Sequence, residues 1–467
     1  MKSHSKGLPT SLRFDELRFE ELPGISGIWI DSLKSALSEL PAPLTIGALA
    51  ERAGGVRKRQ IQPEKLEEII LGRRDRRSVK TLQNIHGLRQ RNSVAVTTNL
   101  YPGLFGGPTV QILKCLTAIK VCDQLSKHGI TAVPVGWICA AAPAGFSASS
   151  ILLLDNESEL HPLQLSRSGA TEFALAAQAF QSQITSLLGQ IEEIGHGTFD
   201  PEMLGMLRES FRPGFTIARA TGYMIAELME EWGMLIIDSS APEFQAVFPQ
   251  IAYGVPSLED AYRTYLSQSS VLPVISCVVD PDEVASFIGA QPFFDRVDFV
   301  RPMPWPQASA TLMDIRSSRT LARYQLSLSR LFSGEQRIMS ELQKALPRGS
   351  SEKLIRLKAE AEARIAGLKD LNPSGKNFGK TLASGREKIL FQISKLAEHF
   401  DKARDRKFET ARRQIHKTCN LLAPNGKLQE RELAGIQMPL RYSRSVFRSL
   451  YEKLDILKFE HQIILMD

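Results

Sequence analysis

Between Val94 and Cys139 the residues change period twice, and that stretch limits the fold more than any other in the chain. Val94-Ala-Val-Thr-Thr98 is a short apolar, β-branched run of the kind that forms a buried strand. Asn99-Leu-Tyr-Pro-Gly-Leu-Phe-Gly-Gly-Pro108 follows, where Gly103, Gly106 and Gly107 admit positive φ or the close approach of another group, and Pro108 suits the first position of a helix. From Thr109 to Lys127 the apolar residues Val110, Leu113, Leu116, Ala118, Val121 and Leu125 fall at helical spacing, and His128-Gly129 is a stop signal. Thr131-Ala-Val-Pro-Val-Gly-Trp-Ile-Cys139 then reads as a second strand. The product is a βαβ crossover, hence an α/β fold with a parallel sheet, and its first turn faces the carboxyl edge, where such sheets bind ligands.

The rest of the 467 residues, 43% of them hydrophobic, is enough for two or three domains and a substantial core. Residues 1–88 read as a helical lead-in, with candidates at Leu33–Leu40 and Pro63–Leu71. Residues 89–330 form the sheet core, with a helical insertion near 159–215. In that core Ile151–Asp155 is expected as a third, edge, strand, Thr171–Leu188, Met203–Ser210 and Thr216–Glu231 as helices, and Met234–Asp238 as the next strand. Leu258–Leu266 reads as helix. Leu272–Val279 is a near-continuous apolar run of the sort buried on both faces of a parallel sheet, and Asp280-Pro281 ends it and opens a helix through Ile288. A short strand is expected at Val297–Arg301, and the proline density of Pro302-Met-Pro-Trp-Pro306 predicts a linker or shaped loop.

Residues 331–424 change character. A long charged helix over Glu335–Leu371 carries Leu354, Leu357, Ala361, Ile365 and Leu368 along one seam; Asn372-Pro-Ser-Gly375 breaks it. A second helix from about Lys380 to Leu422 places Ile389, Ile393, Leu396, Phe400 and Ala403 at heptad spacing. Two such helices make an antiparallel coiled-coil arm that buries little of its seam alone, so pairing with a second copy, a homodimer, is expected. Residues 425–467, with a helix at Ser443–Leu457, pack back on the core.

The net charge of +7 lies largely in two clusters, Arg73–Arg77 and Lys402–Lys407 with Arg412-Arg413, both on expected solvated helix faces. With no nucleic-acid motif beside them, no nucleic-acid partner is expected. No apolar run approaches the roughly 20 residues that span a bilayer, so no membrane is expected. The lead Met1-Lys-Ser-His-Ser-Lys does not run into a signal-peptide core, which makes the cytoplasm the expected location. Five scattered cysteines without a CxxC pair, and eight histidines without ligand spacing, argue for packed thiols and no metal.

A resemblance covers about Asn92 to Tyr451. The stretch Val96–Pro108, Lys114 with Ala118-Ile-Lys120, Val133-Pro-Val-Gly-Trp-Ile138, Ala308-Ser-Ala-Thr-Leu312, Arg386-Glu-Lys-Ile-Leu390 and Pro424-Asn-Gly-Lys-Leu-Gln-Glu-Arg431 follow in order the signature of the BshC family, named for the cysteine-adding ligase of bacillithiol biosynthesis. The resemblance implies a Rossmann-like core with helical insertions and a coiled-coil arm that pairs subunits. It implies amide formation between the carboxyl of cysteine and the amine of glucosaminyl malate, with ATP as the activator by kinship with adenylate-forming folds. Two segments depart from the family pattern. Its Gly-Gln-Gln after the first strand is Asn99-Leu100-Tyr101 here, and its acidic and histidine cluster after the second is Ala-Ala-Pro-Ala over 141–144; its later Gly-Gly-Pro is Val279-Asp280-Pro281. Alanines cannot take a proton or orient an amine. Two functions therefore stay open: an active ligase, or a catalytically silent relative acting as a binding or regulatory subunit.

Catalytic residues are not assigned from the sequence. The substrate- or nucleotide-binding candidates are Asn99, Gly103, Gly106, Gly107, Lys114, Ser309 and Thr311. The glycines would bring an anion to backbone N–H groups, or merely make a tight turn. Lys114 would reach that anion or sit in solvent, and Asn99 would bind substrate or cap the turn. Ser309 and Thr311, expected in a loop beside the sheet, would touch nucleotide or bond their own turn. Lys427 and Arg431 would grip phosphate or cap the preceding helix.

Overall fold

The computed structural model describes residues 44–56, 63–71, 77–90, 92–139, 146–166, 178–242 and 244, 260–297, 299–345, 349–368 and 376–466. The helix expected at Leu33–Leu40, the start of the one expected at Thr171, most of Arg73–Arg77, Asn372–Gly375 and the alanine stretch at 141–144 lie outside them. Two compact units make up the chain: residues to Ser318 together with those from Asn420 onward, and Arg319–Cys419.

In the first unit, β1 (Val94–Leu100), β2 (Ala132–Ile138), β5 (Leu235–Asp238), β6 (Val274–Val279) and β7 (Met303–Pro306) form one sheet in the order β5-β2-β1-β6-β7. Every pairing in it is parallel. All five strands are buried along their length, which is why β1, β2, β5 and β6 read as largely apolar runs. The chain lays β1, β2 and β5 outward on one side, then returns to add β6 and β7 on the other. The strand order thus reverses between β1 and β6, the topological switch where connections diverge and open a crevice at the carboxyl ends. Helix α1 (Val110–Lys127) follows the glycine turn and is buried nearly all round, polar Gln111, Lys114 and Thr117 included. Three further helices bear on the crevice: α2 (Ile217–Leu228), α3 (Asp260–Val271) and α4 (Val284–Arg296).

The expected βαβ unit, β5 and β6 are therefore present. Four expectations fail. The stretch after Ser150 is not an edge of the main sheet: β3 (Ser150–Leu154) pairs antiparallel with β4 (Leu160–Gln164) in a separate hairpin. Among the described residues of Val297–Arg301 no strand forms, and the proline-rich stretch expected as a loop is β7 itself. Its position explains the error, since prolines that would break a central ladder are tolerated on an edge strand. Of Ser309 and Thr311, both expected in a loop, Ser309 does lie in the short connection that follows β7 and Thr311 does not. Thr311 lies in β8 (Ala310–Asp314), which pairs parallel with the C-terminal strand β9 (Gln462–Met466), and Ser309 accepts the N–H of Gln462 through its carbonyl just ahead of it.

The second unit is helical. Where one helix was expected over Glu335–Leu371, two are described, Glu335–Ala345 and Gly349–Gly367; the long helix α5 (Lys376–Leu422) runs on out of this unit at its C-terminal end. Glu335 bonds His416 at 2.7 Å while Glu362 pairs with Arg386, so the contacts reverse along the chain and the helices are antiparallel. Among the described residues no helix is long and apolar enough to cross a membrane.

Candidate functional site

The crevice between β1 and β6 is closed by charge. Lys114, one turn into α1 and with no exposed surface, places Nζ 2.7 Å from Glu283 Oε1 and 3.5 Å from Asp280 Oδ2. Tyr101, just past β1, donates its hydroxyl to the same Glu283 oxygen at 2.6 Å and turns its ring to the ammonium, 4.9 Å from Nζ. Glu283 Oε2 accepts the N–H of Asp280 at 2.9 Å, and Gln111 donates to the Tyr101 carbonyl at 2.9 Å. Burial alone would pull the Lys114 ammonium down, but Glu283 and Asp280 outweigh it and hold the group above its ordinary range. Burial pushes the Glu283 carboxyl up to about 7 against the pull of Lys114. The tyrosine hydroxyl is raised by burial and by the same carboxylate. Burial lifts the neighbouring thiols Cys139 and Cys277 as well, Cys277 to about 12, so neither is a thiolate near neutral pH.

A second cluster adjoins it. Ser309 Oγ lies 2.8 Å from Glu430 Oε1 and 2.7 Å from His461 Nδ1, and Thr311 Oγ1 lies 2.8 Å from His461 Nε2. The Ser309 hydroxyl has one proton; donated to Glu430, it leaves the oxygen to accept from Nδ1–H, so bare Nε2 accepts from Thr311. Glu430 Oε2 also takes the Ala310 N–H at 2.8 Å. Burial holds His461 down at about 3, hence neutral, and holds Glu430 up. The next residue, Arg431, turns the other way and grips Asp282 at 2.5 Å beside the first cluster. Burial works against its charge, and Asp280, Asp282 and Glu430 more than offset that.

The expected residues are distributed accordingly. Lys114 meets anions, but they are the protein's own. Asn99 neither caps a turn nor faces an opening: its Oδ1 accepts from Gln268 of α3 at 2.6 Å, and Gln268 in turn accepts from Thr97 at 2.7 Å. Gly103 is clamped by Thr221 of α2, which bonds its N–H at 3.2 Å and its carbonyl at 2.9 Å. A Cβ on Gly103 would lie 2.7 Å from Gly107 Cα, and one on Gly106, at φ 86°, would lie 1.9 Å from Met224. Gly103 is required by packing within the turn, and Gly106 by its positive φ together with α2 packed against it. Gly107, at φ 71°, bonds Gly435 through its carbonyl at 2.9 Å. Lys427 pairs with Glu432 at 2.7 Å. The sequence reading passed over Tyr101, Gln111, Asp280, Glu283, Glu430 and His461. Asp280-Pro281 reads in the sequence as the end of β6, the opening of a helix and a departure from the family's Gly-Gly-Pro, although any acid there must sit on the carboxyl edge.

Two models of one family match the chain: the N-terminal Rossmann-like domain of bacillithiol biosynthesis BshC over residues 46–256, and its C-terminal coiled-coil domain over residues 310–466. The chain belongs to the BshC family. Among its relatives are proteins named "Putative cysteine ligase BshC" from Koribacter versatilis, 23% identical over 85% of this chain and 88% of the relative, and from Solibacter usitatus, 20% identical over 81% and 86%. A third, from Chloroherpeton thalassium, is 22% identical over 82% and 85%. In this BshC-family chain the stretch with Asp280 and Glu283 lies between the two matched segments, so the acids facing Lys114 come from sequence that neither domain model covers.

Proposed function

We propose that the chain is a ligase of bacillithiol biosynthesis that joins the carboxyl of cysteine to the amine of glucosaminyl malate in an amide bond, in the crevice at the carboxyl edge between β1 and β6. The observation that carries this reading is family membership over both domains, joined to a Rossmann-like sheet whose switch point collects Tyr101, Lys114, Asp280, Glu283 and Arg431. Condensation needs an activated carboxyl, and ATP is the proposed activator. The residues nominated for it do not fit a nucleotide as they stand: Lys114 is matched by Glu283 and Asp280, Ser309 and Thr311 are bonded to His461, and the space beside Gly103 and Gly106 is filled by protein. No step is therefore routed through the nucleotide. What the chain's own residues supply is a rigid, charge-balanced floor that ties β1, α1 and the start of α4 together.

That same self-sufficiency favours the second reading, a binding or regulatory subunit without turnover, because no carboxylate of the Lys114 cluster is left free to take a proton from an amine. Purified chain incubated with cysteine, glucosaminyl malate and ATP separates the two. The ligase gives a new species at the summed mass of the two substrates less water, and the subunit binds the sugar malate with no such species. The proposal includes a homodimer through the arm. Its support is the apolar surface a single chain leaves uncovered, with Ile389, Phe391, Leu396 and Phe400 each about half exposed or more. Light scattering at twice the chain mass is the expected result; a single chain mass contradicts it.

A further inference from the structure

A buried hydrogen-bonding group without a partner costs about 1–3 kcal/mol, so each such group in a folded protein needs a reason. Three side chains around the ends of β1 and β6 carry them. Arg431 binds Asp282 through Nη1 alone; its Nε and Nη2 reach neither solvent nor a protein acceptor. Gln111, fully buried, spends its amide nitrogen on the Tyr101 carbonyl and leaves Oε1 unpaired. Gln307 is equally sequestered, its backbone N–H on the Val279 carbonyl and its side-chain nitrogen on Glu430, again with Oε1 unpaired.

The unused atoms are not random. Nε and Nη2 form the side-on fork of a guanidinium, two parallel donors that match the two oxygens of a carboxylate or phosphate. Asp282 on Nη1 holds the group from one side and leaves that fork unpaired. Lys114 cannot serve an incoming anion, since two carboxylates already neutralise it. Arg431 is reachable, with about a quarter of its side chain exposed while the fork itself is buried. The glutamine oxygens have the opposite sense and ask for N–H or O–H donors.

We propose that Arg431, set by Asp282, is the anchor for an oxyanion of a small polar ligand bound at the carboxyl edge of β6, a ligand that also presents hydrogen-bond donors to Gln111 and Gln307. The assignment deepens the ligase reading in that it names a residue of the same site, but it concerns binding and does not require turnover. A carboxylate of a substrate and a phosphate of a nucleotide share this chemistry.

The test is calorimetric titration of the full-length chain with L-cysteine, L-malate and ATP as separate probes, on the wild type, Arg431→Gln, Arg431→Lys and Lys402→Gln. Arg431→Gln is expected to weaken the probe that docks here 10-fold to 100-fold. Arg431→Lys, which keeps the charge and loses the fork, should recover only part of the loss. Lys402→Gln, an exposed change on α5, should leave it unaltered. Loss confined to malate or cysteine assigns a carboxylate, and loss confined to ATP assigns a phosphate. Equal affinity in wild type and a folded Arg431→Gln or Arg431→Lys overturns the proposal, as does a wild type that binds none of the three. Should Arg431→Gln fail to fold by circular dichroism, the lysine variant alone decides. Absence of condensed product with binding intact defeats the ligase reading and leaves this one standing.

Discussion

Two buried polar clusters meet at Glu430-Arg431, and they solve the same problem by different means. On the Arg431 side, Lys114 is held between Glu283 and Asp280, and its buried ammonium depends on them for charge. On the Glu430 side, Ser309, His461 and Thr311 are joined by a chain of bonds in which the histidine is neutral. Charges buried as a set are strong only while the set is whole, because removing one member strands the others in a medium that solvates them poorly. A chain of neutral hydroxyls loses one bond at a time. The first cluster spans the switch crevice and holds the ends of β1 and β6 together. The second pins β8 and β9 to the short segment after α5.

The contrast makes ordered predictions. Lys114→Met leaves Glu283 and Asp280 without their cation and should cost about 3–5 kcal/mol in urea unfolding, with part of it returned when Glu283→Gln is added. A cost no larger than that of Ser309→Ala would end the distinction between the clusters.

Next in size is the response to pH, where the two clusters have opposite signs. His461 is held at about 3 in the folded chain against 6.5 when free, so below pH 6.5 the unfolded chain gains a proton the folded one refuses. The stability it contributes is lost as pH falls from 6.5 towards 3, about 3 kcal/mol of it by pH 4. Glu283 is raised from 4.5 to about 7, so the folded chain keeps a proton that the unfolded chain sheds; that contribution is full below 4.5 and lost as pH rises through about 7. Unfolding midpoints across pH 4 to 8 should therefore flatten at the acid end in His461→Gln and at the neutral end in Glu283→Gln. Either variant leaving its own limb unchanged would separate that group from the cluster assigned to it.

Smallest is Ser309→Ala. Glu430 keeps the Ala310 N–H and the Gln307 amide, and the loss should be about 1 kcal/mol by the same unfolding measurement.

The sheet's centre was legible in the sequence because β1, β2, β5 and β6 are buried on both faces and their runs are continuous. What failed locally was decided by distant partners. The prolines of β7 signal a loop unless the strand is known to lie on an edge, and β8 has no signal of its own because its ladder partner β9 lies about 150 residues on. Lys114 was singled out at once, yet its partner Glu283 is 169 residues away, and nothing in either neighbourhood announces the pair. Asn99 shows the same limit, since the amide that occupies it comes from Gln268 of α3. Residue types were readable; which of them face each other is a property of the strand order.

The account rests on the crevice between β1 and β6 being where ligand meets protein. Hydrogen–deuterium exchange on the full-length chain, with and without cysteine and glucosaminyl malate, tests that directly. Exchange should slow in peptides covering 101–111, 280–284 and 431–435 when ligand is added. Slowing confined to other segments, or none at saturating ligand, would contradict it.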